Sequence, residues 1–163
     1  MQTATSRFII LFLVILGIIA AGSGLYAAVG IKLNGVWSET IDASDLQAGA
    51  GSDLIDTHES LSDQISIEII GATGKNWRVD VKKNDTNWHS AFELSVRRTS
   101  DGTGSGTISG GTSYQEVTDT DKTFFDGSGS RQDIFEQLKL SGVSVQVPWD
   151  TYITTIYYTV VEQ

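Results

Sequence analysis

The side chains that most often carry out chemistry in proteins are sparse in this sequence. Its two histidines, His58 and His89, are far apart and belong to no HxH or HExxH pattern, the kind of spacing that holds a metal ion. No Gly-x-Ser-x-Gly sequence offers a serine nucleophile on a tight turn. The chain has no cysteine, which excludes disulfides, thiolate metal sites and cysteine nucleophiles. The sequence therefore predicts that the protein is not an enzyme.

Acidic side chains are the next candidates, because Ca²⁺ binds several carboxylate and carbonyl oxygens from loops. The best local cluster is Asp119, Asp121 and Asp126. It departs from the EF-hand pattern, since its sixth position is Phe124 and its twelfth is Ser130. We therefore predict no required cofactor and keep two interpretations open, a calcium site at these aspartates and solvated loop acids that keep the protein soluble. The formal net charge of -9 argues against nucleic-acid binding, which needs clustered Lys and Arg.

Tryptophan is the other residue type that could bind a ligand, by stacking on a sugar ring. The chain has four tryptophans. Trp77 alternates in step with Val79 and Val81, which places it in the core. Trp88 and Trp149 lie beside predicted turns, so we predict them as the exposed pair. They could stack on a cell-surface glycan or pack over the end of a sheet.

The elements that would position these residues are β-strands. Residues 152–161 alternate β-branched and aromatic side chains with threonine, which predicts a long closing strand. Three further alternations surround Ile67, Val79 and Leu94, and we expect these consecutive strands to pair as an antiparallel meander. Seventeen glycines and one proline are typical of an all-β domain with many turns. The predicted fold is all-β, an antiparallel two-sheet sandwich of immunoglobulin-like or jelly-roll topology, with an up-and-down barrel as the alternative.

Two connections have a less regular pattern. Residues 100–111 are rich in glycine and match neither the dinucleotide-binding fingerprint nor the Walker pattern, so we predict a flexible hairpin connection. The apolar positions switch from even to odd numbers across Ser141 and Gly142. That switch predicts a β-bulge or a sharp bend between two strands, the second over residues 143–147.

The N-terminus carries an apolar run at residues 8–21 that ends in small residues, which indicates an export signal. We predict a signal peptide over residues 1–27, folded as a hydrophobic helix, and a β-sandwich domain over residues 28–163. An uncleaved membrane anchor is the alternative, and it would be the chain's one contact with a membrane. The protein is therefore predicted to be secreted or held at the cell surface.

The first segment of the mature chain alternates, with Val29, Ile31 and Leu33 on one face. A strand so close to a new N-terminus can pair within its own domain or with a neighbouring copy, so we predict these residues as an assembly strand. The partners expected for this protein are consequently copies of itself.

The closing strand, from Pro148 through Trp149 to Val161, resembles that of secreted pilin-like and spore-coat-U-like sandwich subunits, in which a proline and a Tyr-Thr alternation precede the chain end. The resemblance implies an immunoglobulin-like subunit of a surface fibre, completed by an N-terminal strand from a neighbour. The cysteines common in those pilins are missing here. We expect an exported structural or adhesive subunit that assembles by strand exchange, and the alternative is a carbohydrate- or calcium-binding β-sandwich module.

Overall fold

The structure, a computed structural model, describes residues 9–19 and 28–163. Thirteen β-strands and one 3-10 helix, Ala43–Asp45, are formed there. In chain order the strands are β1 (Ile9–Ile19), β2 (Gly30–Asn34), β3 (Thr40–Ile41), β4 (His58–Glu59), β5 (Ile65–Ile70), β6 (Asn76–Asn87), β7 (Glu93–Arg98), β8 (Thr103–Gly104), β9 (Ile108–Gly110), β10 (Gln115–Glu116), β11 (Lys122–Ser128), β12 (Arg131–Ser141) and β13 (Thr151–Glu162).

The strands form two sheets. Sheet A has the order β3-β1-β13-β6-β11-β9, and sheet B has the order β10-β7-β12-β5-β2, with β4 and β8 also paired to β12. Every pairing between these strands is antiparallel except that of β1 with β13, which is parallel. The predicted all-β, two-sheet sandwich is therefore confirmed.

The core lies between the sheets, because each long strand turns alternate side chains inward. The pattern is clearest in β13, where every second residue from Tyr152 to Val160 is buried and the residues between are half-buried. Trp77 is buried as predicted, and its indole N–H donates to Gly129 O at 2.8 Å. Its ring meets that of Phe125 edge-on at 6.0 Å. Each such side chain contributes about 1.5–3 kcal/mol by leaving water.

The predicted meander of β5, β6 and β7 is wrong, although all three strands exist. The strand β5 pairs with β2 and β12, β6 pairs with β11 and β13, and β7 pairs with β10 and β12. The chain therefore crosses from sheet B to sheet A and back. Each of these strands has one apolar face, and crossing between sheets lets neighbouring strands bury those faces against each other.

The N-terminal apolar run also differs from its prediction. Within the predicted signal helix, Ile9–Ile19 is the strand β1, and residues 1–8 and 20–27 lie outside the described residues. Periodicity cannot distinguish a helix from a buried strand in a continuous apolar run. The many Ile, Val and Phe residues here favour a strand once a sheet edge can pair with their backbone. No helix in the described ranges is long and apolar enough to cross a bilayer.

The predicted bend after Ser141 is confirmed, but the strand predicted over residues 143–147 is not formed. Gly142 has a φ of +84°, and a Cβ there would overlap the carbonyl oxygen of Ala91. The chain leaves β12 at this point and makes a turn closed by the bond from Val147 N–H to Ser144 O at 3.0 Å. The change of parity in the sequence therefore marks the end of a strand.

The glycine-rich segment at residues 100–111, predicted as a flexible hairpin connection, is hydrogen-bonded to the rest of the domain. Two arginines, both more than nine-tenths buried, bind its carbonyl oxygens. The Arg98 guanidinium donates twice to Gly110 O, at 3.1 and 3.0 Å, and Arg131 donates to Gly106 O at 2.9 Å. Gly104 lies so close to β12 that a Cβ would overlap Ser130 O. Glycine is needed here for the close approach of two backbones.

We expect Gly104→Ala to lower the free energy of unfolding by about 2–4 kcal/mol, because it adds overlap with Ser130 O to backbone strain at a φ of +150°. The matched control is Gly49→Ala, whose φ is +86° but whose added methyl meets no atom within 4 Å. It should cost only the strain, about 1 kcal/mol. Urea unfolding of both variants measures this difference, and equal losses would show that the glycine-rich segment is not docked.

Candidate functional site

The edge of β13 that faces away from β6 is the strongest candidate for a functional site. Over Thr151–Glu162 this strand pairs with β6 on one side, and on the other side β1 runs parallel to it from Ile10 beside Thr151 to Ile19 beside Val160. The far side of β1 pairs briefly with β3. The strand β1 therefore fills a slot one strand wide between β3 and β13.

The predicted assembly strand occupies the edge of the other sheet. Val29 and Ile31 are buried and Leu33 is half-buried against the core. The strand β2, which begins at Gly30, pairs with β5 of its own chain and with no other strand in the described ranges. In this structure it is docked within its own domain.

The three aspartates predicted as a calcium site are not brought together. Asp121 accepts an ion-pair bond from Lys82 at 2.8 Å, and Asp126 accepts from the hydroxyl of Ser109 at 3.0 Å. Asp119 accepts from its neighbour Thr120 at 3.1 Å. Among the residues that the structure describes, no three His, Asp or Glu side chains converge enough to hold a metal ion.

The two tryptophans predicted as an exposed pair lie at the same end of the sandwich but differ in exposure. Trp149 is 68% exposed. Trp88 packs edge-on against Phe92 with ring centroids 5.5 Å apart, and its indole N–H donates to the Phe92 carbonyl at 3.2 Å. Lys83 lies over its ring at 5.0 Å. Trp88 therefore packs over a sheet end, and Trp149 is the one of the two left to stack on a ligand.

The acidic loop at residues 42–57 has a structural role that its composition does not reveal. The carboxylate of Asp53 accepts from Val145 N–H at 2.9 Å and from Ser144 Oγ at 3.3 Å. These bonds, that from Val145 above all, lower the pKa of Asp53. Asp56 accepts in the same way from Gly142 N–H at 3.2 Å. The loop is thus fastened to the turn that follows β12.

A buried carboxyl group links the two sheets, and sequence analysis missed it. Glu136 of β12 is 0% exposed, and its Oε2 accepts from the hydroxyl of Tyr158 on β13 at 2.6 Å. Its Oε1 has no hydrogen-bond partner within the described chain. Burial raises the pKa of Glu136 to about 8, while the bond from Tyr158 and the charge of Arg98 lower it by less. The group is therefore mostly neutral at pH 7.

The sequence did contain a signal for this carboxyl group. Glu136 has the same parity in β12 as the core residues Ile134, Leu138 and Leu140. An acid in step with core positions predicts a buried acid, which must find a partner or become protonated. At zero exposure it contacts no solvent, so it has no access to a substrate in this conformation.

Comparison with known proteins gives no relative from which to infer a function. No protein-family profile matches the chain, and no curated protein matches it in sequence.

The protonation of Glu136 predicts how stability depends on pH. Its pKa is about 8 when folded and 4.5 in an unfolded chain, so between these values the folded state keeps a proton that the unfolded state has lost. The contribution of Glu136 to the free energy of unfolding is full below pH 4.5. It falls by at most about 1.4 kcal/mol per pH unit as the pH rises, and it levels off above pH 8.

We expect Glu136→Gln to remove this fall in stability, because a neutral amide of the same shape can still accept from Tyr158. Glu116→Gln, at an exposed position, is the matched control and should keep the wild-type profile. Urea midpoints measured from pH 4.5 to 9 test the prediction. A Glu136→Gln profile parallel to that of the wild type would mean that Glu136 does not titrate as burial requires.

Proposed function

We propose that the protein is an exported structural or adhesive subunit of the cell surface, and that its copies assemble by strand addition at the edge of β13. A single observation carries the proposal. The strand that fills the slot between β3 and β13 is β1, which has the apolar sequence of an export segment. One segment cannot both leave with the export machinery and remain in the sheet.

Either predicted fate of this segment empties the slot. If a signal peptidase removes it, β1 is lost, and if it anchors the chain, β1 lies in the bilayer. In both cases β13 keeps β6 on one side but exposes a row of unpaired backbone N–H and C=O groups on the other. Such an edge is a template for a strand from another chain. The β3 strand, paired only with β1 among the described residues, loses its neighbour as well.

The donor that we propose is the N-terminal segment of a neighbouring copy. After cleavage this segment contains β2, which carries Val29, Ile31 and Leu33. The strand β2 occupies a sheet edge and pairs with a single strand, β5, so its release breaks the backbone hydrogen bonds to that strand only. Its alternation provides one apolar face for a neighbour's core. The resemblance of the closing strand to pilin-like subunits supports the same arrangement.

The alternative, a carbohydrate- or calcium-binding module, has less support. Trp88 is packed against Phe92, so the two predicted aromatics do not form a flat platform for a sugar. The three aspartates predicted to bind calcium each have a different partner. Trp149 remains the one feature that favours glycan binding.

The assembly proposal predicts that a charge beside the open edge blocks association. We expect the exported wild-type protein to form oligomers or fibres and Thr155→Lys to remain monomeric. Thr155 lies on β13 opposite Val14 of β1, so a lysine there stands beside the strand that a neighbour would add. Lysines at a sheet edge oppose strand addition. Light scattering and electron microscopy of the secreted protein measure the assembly.

The matched control is Thr123→Lys, an exposed position on β11, whose strand neighbours are β6 and β9 rather than β1. It should assemble like the wild type, although it loses the bond from the Thr123 hydroxyl to Asp80 at 3.0 Å, and Thr155→Lys should keep the thermal midpoint of the wild-type monomer. A wild-type protein that stays monomeric at high concentration, or equal assembly by the two variants, would contradict the proposal.

A further inference from the structure

We infer that Asn84 is an acceptor site for N-linked glycosylation, an inference that rests on the proposed export of the chain. Asn84, Asp85 and Thr86 form the sequence Asn-x-Thr with no proline in the middle, the acceptor pattern for transfer of a glycan to an asparagine amide in exported proteins. Of the four asparagines in the chain, Asn84 alone has a serine or threonine two residues later. The pattern by itself is common, so the local structure has to support it.

The structure places this triplet where a glycan can be attached. Residues 84–87 are all exposed at the end of β6. The register of β6 with β13 slips here, since Asp85 is opposite Thr154 and Asn87 is opposite Ile153, which leaves Thr86 without a paired residue. A bulge of this kind interrupts the ladder and bends the strand away from regular pairing.

One of the three side chains in this triplet is hydrogen-bonded within the described part of the chain, and the other two are not. The Asp85 carboxylate accepts from the hydroxyl of Thr154 at 2.7 Å and also binds Lys83. The side chains of Asn84 and Thr86 make no hydrogen bond to any residue that the structure describes. The carbonyl of Asn84 does accept from Thr154, at 3.3 Å. The backbone of the site is therefore fixed while its amide is open to solvent.

Asn87 provides an internal comparison three residues away. It is exposed as well, but its amide nitrogen donates to Thr151 O at 2.7 Å and to the Asp150 carboxylate at 3.2 Å. Its amide is thus part of the link between β6 and the start of β13. Residue 89, two positions after it, is a histidine and not a hydroxyl residue. Both asparagines are exposed, but only Asn84 has a side-chain amide without a hydrogen bond among the described residues and a hydroxyl residue two positions later.

The donor class is an oligosaccharide carried on a polyprenyl phosphate lipid. The amide nitrogen Nδ2 of Asn84 forms a bond to C1 of the first sugar, and the bond from C1 to the lipid phosphate oxygen breaks. The electron pair leaves with the lipid phosphate, and the amide proton passes to a base of the transferase. No oxidant or reductant is needed. The glycan would project from the outer surface of sheet A beside Thr155, the β13 residue that faces Asn84.

The test is glycopeptide mapping of the protein from the cells that produce it, with the exported and retained pools analysed separately. We expect the exported chain to carry one oligosaccharide mass on the peptide that contains Asn84. Asn84→Gln and Thr86→Ala should lose that mass completely, whereas Thr86→Ser and the control Asn87→Gln should keep it.

The possible results separate this inference from the proposed function. An exported chain with bare Asn84 overturns the glycosylation site and leaves export standing. A bare chain found in the cytoplasm alone overturns both. Glycan that remains in Thr86→Ala means that the acceptor pattern does not direct the modification, and it overturns the inference even if the chain is glycosylated elsewhere.

Discussion

The pairing of backbone groups along both edges of β13 is the constraint on which the rest of this structure depends. A buried strand has to satisfy its N–H and C=O groups on two sides, since an unpaired group away from water costs about as much as a lost hydrogen bond. On one side β6 meets this requirement over nearly the full length of β13. On the other side it is met by β1, a segment whose composition is that of an export signal. Both edges of β13 are therefore paired only while the N-terminal strand β1 lies beside it.

Apart from β3, which pairs with β1, several contacts that hold the sandwich together do not involve this segment. The core packs side chains of both sheets, and the Glu136 to Tyr158 bond joins β12 to β13 directly. Buried Arg98 and Arg131 hold the glycine-rich segment against β12, and Asp53 fastens the acidic loop to the turn after β12. These contacts lie within residues 28–163, so loss of β1 would open one edge without removing the contacts that hold the loops.

The sequence predicts the elements of this fold better than their pairing. Alternation identifies β5, β6, β7 and β13 because a half-buried strand must repeat every two residues. It contains no information on which strands are neighbours, so the meander was wrong. Ile9–Ile19, a part of the signal helix predicted within residues 1–27, is a strand here, and a continuous apolar run has no period that would distinguish the two. Long-range contacts determine both features.

The candidate site could be predicted only in part, for similar reasons. The position of β2 near a new N-terminus is visible in the sequence, but the slot beside β13 is not, since it depends on which strand lies there. Trp88 and Trp149 have similar sequence contexts, and the packing of Phe92 against one of them decides which is exposed. Asp119, Asp121 and Asp126 are close in sequence, yet each is bound by a different residue. Spacing in the sequence therefore does not decide whether these aspartates share a ligand.

Amide hydrogen exchange along β13 tests the central claim, that removal of the N-terminal segment opens an edge which a neighbouring copy then closes. Alternate residues of β13 point their N–H groups toward β6 or away from it. We expect the N–H groups that point away from β6 to be protected in the full-length chain, to exchange rapidly in the dilute mature monomer, and to be protected again in assembled protein. The N–H groups that point toward β6 should stay protected throughout. Equal protection of the outward amides in the full-length chain and in the mature monomer would contradict the account.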